Sequence, residues 1–263
     1  MGLDLNRAPR VEKRARIHEL TLRRRFVAAQ RPVVFGTAAD HWKARDRWSE
    51  GYFRARYGAS PIPCAGTEAT LSDLFEAYDD QQSPHLWGFP LRSLSPELSA
   101  DVGALAFAEP PWLPHPFIPR AWTARVNAAL EIEIGGPGSV SPLRSEPLGG
   151  YRLETQLVGR QRVALLPPEI GDALEPRRAK NGGLRSALPE LERVERRSDP
   201  ALSDARILVA ELEPGDTLFV PPGWWHEGKT AGEVAISVAS LRVSEANFGS
   251  FLRELWRTEG RDK

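Results

Sequence analysis

Leu212-Glu-Pro-Gly-Asp-Thr-Leu-Phe-Val-Pro-Pro-Gly-Trp-Trp-His226 reads as a tight turn, a short buried strand and a second turn that ends on a histidine. Pro214-Gly215 is a turn signal, Leu218–Val220 is an apolar run of β type, and Pro221-Pro-Gly223 stops it before two tryptophans. A histidine held just after a strand, behind bulky rings, is placed to act as a metal ligand or a proton carrier. The competing reading is a core histidine satisfied by a backbone carbonyl.

Further strands lie on both sides of this stretch. Leu130-Glu-Ile-Glu-Ile134 alternates, Tyr151–Val158 and Arg162–Leu166 flank a turn at Gly159-Arg160, and Ile207–Leu212, Thr217–Val220 and Val234–Val243 follow. Between them, residues 169–204 form a polar insertion with a short helix expected around Pro189–Arg196. Upstream, residues 10–30 interleave Lys13, Arg14, Arg16 and Arg23–Arg25 with apolar side chains, the pattern of a basic helix whose charged face is solvated. Trp48, Tyr52, Phe53 and Tyr57 fall at helical spacing, and Leu71–Tyr78 is a helix capped by Thr70 or Ser72. Pro110–Pro119 is too rich in proline for helix or central strand. His115 within it is a surface-loop histidine, a third ligand or a substrate contact. Ser244 caps a last helix with Phe248, Phe251, Leu252, Leu255 and Trp256 on one face.

Short strands joined by proline and glycine turns, with helices at both ends, predict a mainly β fold, a double-stranded β-helix (jelly roll) with flanking α-helices. The expected organisation is a basic helical arm over 1–30, the main domain over 31–243 and a C-terminal helix over 244–263. Charge adds a constraint, because 35 basic and 35 acidic residues cancel and leave no global field for nucleic acid or an acidic membrane. Cys64 is the sole cysteine, which excludes an intramolecular disulfide and fits a reducing compartment. With no apolar run of about 20 residues and a charged N-terminus, a soluble cytoplasmic protein is expected.

Gly215, Asp216, Pro221, Gly223, Trp224, Trp225 and His226 match the segment "pGD.lfiP.gWwH", and residues 31–58 resemble the opening "PvvirG.adhWpa...W....yl...yG". The chain therefore resembles the JmjC and cupin-like oxygenases across roughly residues 31 to 243. The resemblance implies the same double-stranded β-helix, an iron held by two histidines and a carboxylate with His226 as last ligand, and 2-oxoglutarate as cosubstrate. The family's "G..vTPlHyD" falls on Gly138-Ser-Val-Ser-Pro-Leu-Arg144-Ser-Glu146, so its first histidine becomes Arg144 and its aspartate Glu146. A guanidinium has no lone pair to give and stays charged. It also repels a nearby cation by several kcal/mol. The remaining metal ligands are Glu146 and His226. The lysine that grips 2-oxoglutarate falls on Gln161, and the asparagine of the last strand on Ala239.

Strand parity, in the register the resemblance implies, gives an expected pocket of Arg144, Glu146, Arg152, Glu154, Gln156, Gln161 and His226, and the Trp-Trp-His motif adds Trp225. The alternative leaves Arg152 and Glu154 facing water. Three functions follow. The first is a fold that has lost iron and 2-oxoglutarate, carries no cofactor, and acts as a binding or accessory module for a peptide or small polar ligand. The second is an Fe(II)/2-oxoglutarate-dependent hydroxylase ligating through Glu146, His226 and a further donor such as His115. The third is a metal-free enzyme using His226 and a carboxylate as acid and base. A homodimer through the C-terminal helix is a further expectation.

Overall fold

The computed structural model describes residues 3–64, 67–81, 83–103, 130–179, 183–194, 202, 205–243, 247–249 and 251–253. His115, Leu255 and Trp256 fall outside them. Its strands are β1 (Lys13–Arg14), β2 (Val33–Phe35), β3 (Pro61–Cys64), β4 (Thr67–Thr70), β5 (His85–Pro90), β6 (Leu130–Gly135), β7 (Arg144–Ser145), β8 (Tyr151–Leu166), β9 (Pro176–Arg178), β10 (Leu184–Ser186), β11 (Leu208–Leu212), β12 (Thr217–Val220) and β13 (Trp225–Arg242). Eleven of them join one bent sheet in the order β1-β2-β12-β8-β13-β7-β10-β9, with β11 on β8, and β6 then β5 continuing from β13. This is the expected mainly β jelly roll with flanking helices.

The frame is the pairing of β8 with β13, strands of 16 and 18 residues that run antiparallel with a register shift between Ala231 and Ile236. The expected turn at Gly159-Arg160 is not a turn. The strand continues through it, bent where Gly159 takes φ +65°, and the facing strand bends at Gly232 with φ +93°. A Cβ on Gly159 would lie 2.2 Å from the Val234 carbonyl oxygen, so the two strands meet there with no room for a side chain.

Register divides the barrel interior into two halves. Leu218 and Val220 of β12 stand opposite Glu154 and Arg152 of β8, and after the bend Val163 and Leu165 continue the inward face. Val34, Val163, Leu165, Ala210, Leu212, Leu218 and Val220 pack as one apolar cluster. The charged side chains of β6, β8 and β13 fill the other half.

Helices cover one outer face: α1 (Glu19–Leu22), α2 (Ala44–Arg47), α3 (Glu50–Tyr57), α4 (Leu71–Asp79) and α5 (Leu91–Leu94). The aromatic stripe is core, with Trp48 and Phe53 buried and their rings edge-on at 5.2 Å. On α4 a capping box forms at Thr70, whose hydroxyl accepts from Asp73 N at 3.2 Å while Asp73 accepts from Thr70 N at 2.7 Å. Leu71, Leu74, Phe75 and Tyr78 are then buried on one face of α4. Thr70→Ala is expected to cost about 1 kcal/mol in urea denaturation.

The N-terminal arm differs from the expected helix. Only residues 19–27 are helical, as α1 followed by a π turn over Arg23–Val27, whereas Lys13–Arg14 pair in parallel with Val34–Phe35. The reason is the open edge of β2: Val34 N donates to Glu12 O at 2.9 Å and Gly36 N to Arg14 O at 3.0 Å, partners those amides otherwise lack. The insertion also differs from its polar composition. Of the helix expected around Pro189–Arg196, the described residues show a 3-10 turn over Leu191–Arg193, and β9–β10 form a hairpin on the sheet edge. Ile170, Leu174, Leu191 and Val194 bury a second core with Leu3, Leu5 and Trp225. At the C-terminal end Phe251 is fully buried, and Asn247 Nδ2 donates to Gly149 O at 2.9 Å. No helix among the described residues is long and apolar enough to cross a membrane.

Candidate functional site

Alternation along β6 sends Ile132 and Ile134 into the core under the helices, so Glu131 and Glu133 face into the barrel. The same period on β8 turns Arg152, Glu154 and Gln156 inward. On β13, Ser237 lies between Glu133 and Gln156, and Ala239 between Glu131 and Glu154. His226, near the start of β13, stands opposite Arg144 of β7.

Arg152 is the centre of the resulting network. Its side chain is 1% exposed, and it bonds four carboxylates: Nε to Glu154 at 3.1 Å, Nη1 to Glu131 and Glu146 at 3.2 Å each, and Nη2 to Glu133. Of these carboxylates, Glu131 on β6 and Glu154 on β8 flank Ala239 of β13 in register. Arg144, 7% exposed, also donates to Glu133, and its guanidinium stacks over Trp87 at 5.3 Å from the ring centroid. Ser237 Oγ completes Glu154 at 3.0 Å. His85 Nδ1 meets Ser139 Oγ at 3.0 Å, and its Nε2 is 3.8 Å from Glu133, too far for a hydrogen bond.

Four carboxylates against two guanidiniums leave an excess of two negative charges if all are ionised (4 − 2 = 2). Burial pushes Glu133 up, but Arg144 and Arg152 overcome it and hold this carboxyl well below the usual range. Burial raises Glu131 against the pull of Arg152, and the neighbouring Glu146 and Glu133 raise it further. The excess charge thus pushes Glu131 toward its protonated form. Burial works against the charge of Arg152, yet its four carboxylates hold it well above the ordinary arginine value. His226 is driven well below its usual value by burial and then by Arg144 and Arg152, so its imidazole is neutral. Its Nε2 is 3.4 Å from Glu146 Oε1, a polar contact between a neutral ring and a carboxylate, and neither ring nitrogen has an aligned hydrogen bond.

Arg144, Glu146, Arg152, Glu154 and His226 thus come together. Gln156 shares their face but turns to the backbone, its Nε2 donating to Val158 O at 2.7 Å. Gln161 lies beside His85 and Glu133, its amide against Gly228. Trp225 is a correction: one residue from His226 on a strand, it points to the opposite face and packs in the second core with Leu166 and Leu174. Glu131, Glu133 and His85 belong to the network and are absent from the pocket read in the sequence.

The iron implied by the resemblance does not fit these residues. A facial triad needs three donors on one side of the metal. Here Arg144 stands opposite His226, Glu146 is bonded to Arg152, and no group of three His, Cys, Asp or Glu is placed to hold a metal among the described residues. The crevice at the mouth, between Trp87, Glu131, Arg144, Glu146 and Arg185, has a volume of about 10 Å³, room for about one water.

Residues 90–240 match the family model for a cupin-like domain, and the chain belongs to this JmjC-related cupin-like family. It is similar to Lysine-specific demethylase JMJ30 of Arabidopsis thaliana, 25% identical over 92% of this chain and 56% of that protein. It is also similar to Lysine-specific demethylase 8 of Xenopus tropicalis, 26% identical over 76% of this chain and 46% of that protein. HSPB1-associated protein 1 of Bos taurus is 33% identical over 79% of this chain and 46% of its own length. The chain spans about half the length of the curated relatives it matches.

Proposed function

We propose that this chain is a cupin-like domain in which a buried ion-pair network takes the place of iron and 2-oxoglutarate, and that it serves as a binding or accessory module. The observation that carries this reading is Arg152, whose buried guanidinium bonds Glu131, Glu133, Glu146 and Glu154 in the barrel centre. A fixed cation there satisfies the carboxylates that a metal would otherwise need, and it repels a second cation. Gln161 adds support, since a neutral amide cannot neutralise the cosubstrate carboxylate that the family's lysine grips.

One observation favours the oxygenase reading: His226 is kept neutral and buried, and its Nε2 has no aligned hydrogen bond, so a ring lone pair is available to a metal. On that reading Glu146 and His226 hold Fe(II) with a third donor. Anaerobic Fe(II) titration followed by a 2-oxoglutarate turnover assay separates the two. The expected result is no stoichiometric iron and no succinate above the buffer rate. Tight, near-stoichiometric iron with succinate release returns the chain to the hydroxylases.

A further inference from the structure

The paired tryptophans of the Trp224-Trp225-His226 motif have different surroundings. Trp225 is buried in the second core, whereas Trp224 is half-buried at the end of the apolar barrel cluster. There it lines a cleft of about 490 Å³ with Val11, Leu208 and three arginines, Arg10, Arg31 and Arg206. The cleft shares no lining residue with the barrel network, so it stands independently of the reading proposed above.

The floor is apolar and aromatic, and the rim is basic. Among the described residues, Glu12 is the sole carboxylate that lines the cleft, against three arginines. The arginines are lightly held: Arg10 meets Glu211 at 3.2 Å with both side chains about half exposed, and Arg31 is 3.8 Å from Glu12. Such exposed pairs contribute little and yield readily to a better anion. Three guanidiniums offer more N–H donors than one carboxylate can accept, whereas a phosphate monoester presents three terminal oxygens and up to two charges. The volume lies within the range of about 300–1,000 Å³ typical of small-molecule sites. A partly buried indole lining the cleft is suited to a flat ring.

We infer that this cleft binds a small phosphate monoester carried on a flat apolar body, the phosphate among Arg10, Arg31 and Arg206 and the ring against Trp224. Isothermal titration of the full chain at low ionic strength with phenyl phosphate, and separately with inorganic phosphate, tests it. Phenyl phosphate is expected to bind with saturation and more tightly than inorganic phosphate. Arg206→Ala is expected to weaken both by about tenfold, the loss of one charge-assisted hydrogen bond. Trp224→Leu is expected to weaken phenyl phosphate alone. Arg206 is exposed, so its variant should melt as wild type does, and Arg31→Ala provides a second surface variant if Trp224→Leu fails to fold. Absence of saturable binding, or binding unchanged in both arginine variants, overturns the proposal. Phenyl phosphate binding unchanged in a folded Trp224→Leu protein removes the ring from it.

Discussion

Arg152→Met should leave the protein unfolded at neutral pH, or less stable by at least about 3–5 kcal/mol, the range for breaking a buried ion pair from one side. The substitution keeps an unbranched apolar stem but removes all of the donors that Arg152 gives to four carboxylates. Glu133 retains Arg144, Glu154 retains Ser237 Oγ, and Glu131 and Glu146 lose the one guanidinium that bonds them. Acid should restore part of the loss. Buried carboxylates without their cation have folded pKa values above those of the unfolded chain, so their contribution is present at low pH and is lost as pH rises through the folded values. Denaturant unfolding of the variant at pH 5 and pH 7.5 should therefore show greater stability at pH 5. Arg152→Lys should rescue little, because an ammonium has three donors and no planar fork. A loss below about 1 kcal/mol, or one that does not change between the two pH values, would mean that the network is not what fills the barrel.

The contrast between Arg152 and Arg144 shows how far the interior could be read from sequence. Parity along β8 placed Arg152 and Glu154 together because a strand has one period and one inward face. The partner of Arg144 was hidden by the same rule. Leu130-Glu-Ile-Glu-Ile134 alternates, and alternating glutamates on a strand with an apolar face ordinarily meet water. Here the apolar face lies under the helices, and the glutamates line the barrel. Two inward arginines were the available signal, since buried guanidiniums require more carboxylate than Glu146 and Glu154 supply. His85 was hidden for another reason: it sits on β5, where Gly88 and Pro90 interrupt the pattern of a strand. Trp225 was assigned to the pocket by its motif, although its distance of one residue from His226 on a strand already excluded a shared face. The bends at Gly159 and Gly232 interrupt the pattern of β8 and β13, so β8 read as two pieces and only Val234–Val243 of β13 read as strand.

Raising the pH from 5 to above 8 is expected to destabilise the wild-type protein through Glu227, and Glu227→Gln is expected to remove that loss. Glu227 is 5% exposed on β13, under the insertion, where both carboxyl oxygens accept from Leu191 N at 3.1 and 3.2 Å. Burial pushes its pKa up to about 8, opposed by that amide and by Lys229 and reinforced by Glu190 and Glu192. Lys229 offsets little because it is bound to Glu192, which also holds Arg162. A carboxyl raised in the folded state is protonated there while the unfolded chain has already ionised, so the folded state binds more protons and stability falls as pH rises. The loss begins near the ordinary glutamate value of 4.5 and is complete above about 8. At about 1.4 kcal/mol per unit, it reaches a few kcal/mol. Glutamine keeps an acceptor for Leu191 N and carries no charge at any pH. The stability advantage of Glu227→Gln should therefore grow between pH 5 and pH 8 and level off above it, as read by urea unfolding at each pH. An advantage that stays constant, or that shrinks over this range, would mean that Glu227 is ionised in the folded protein throughout.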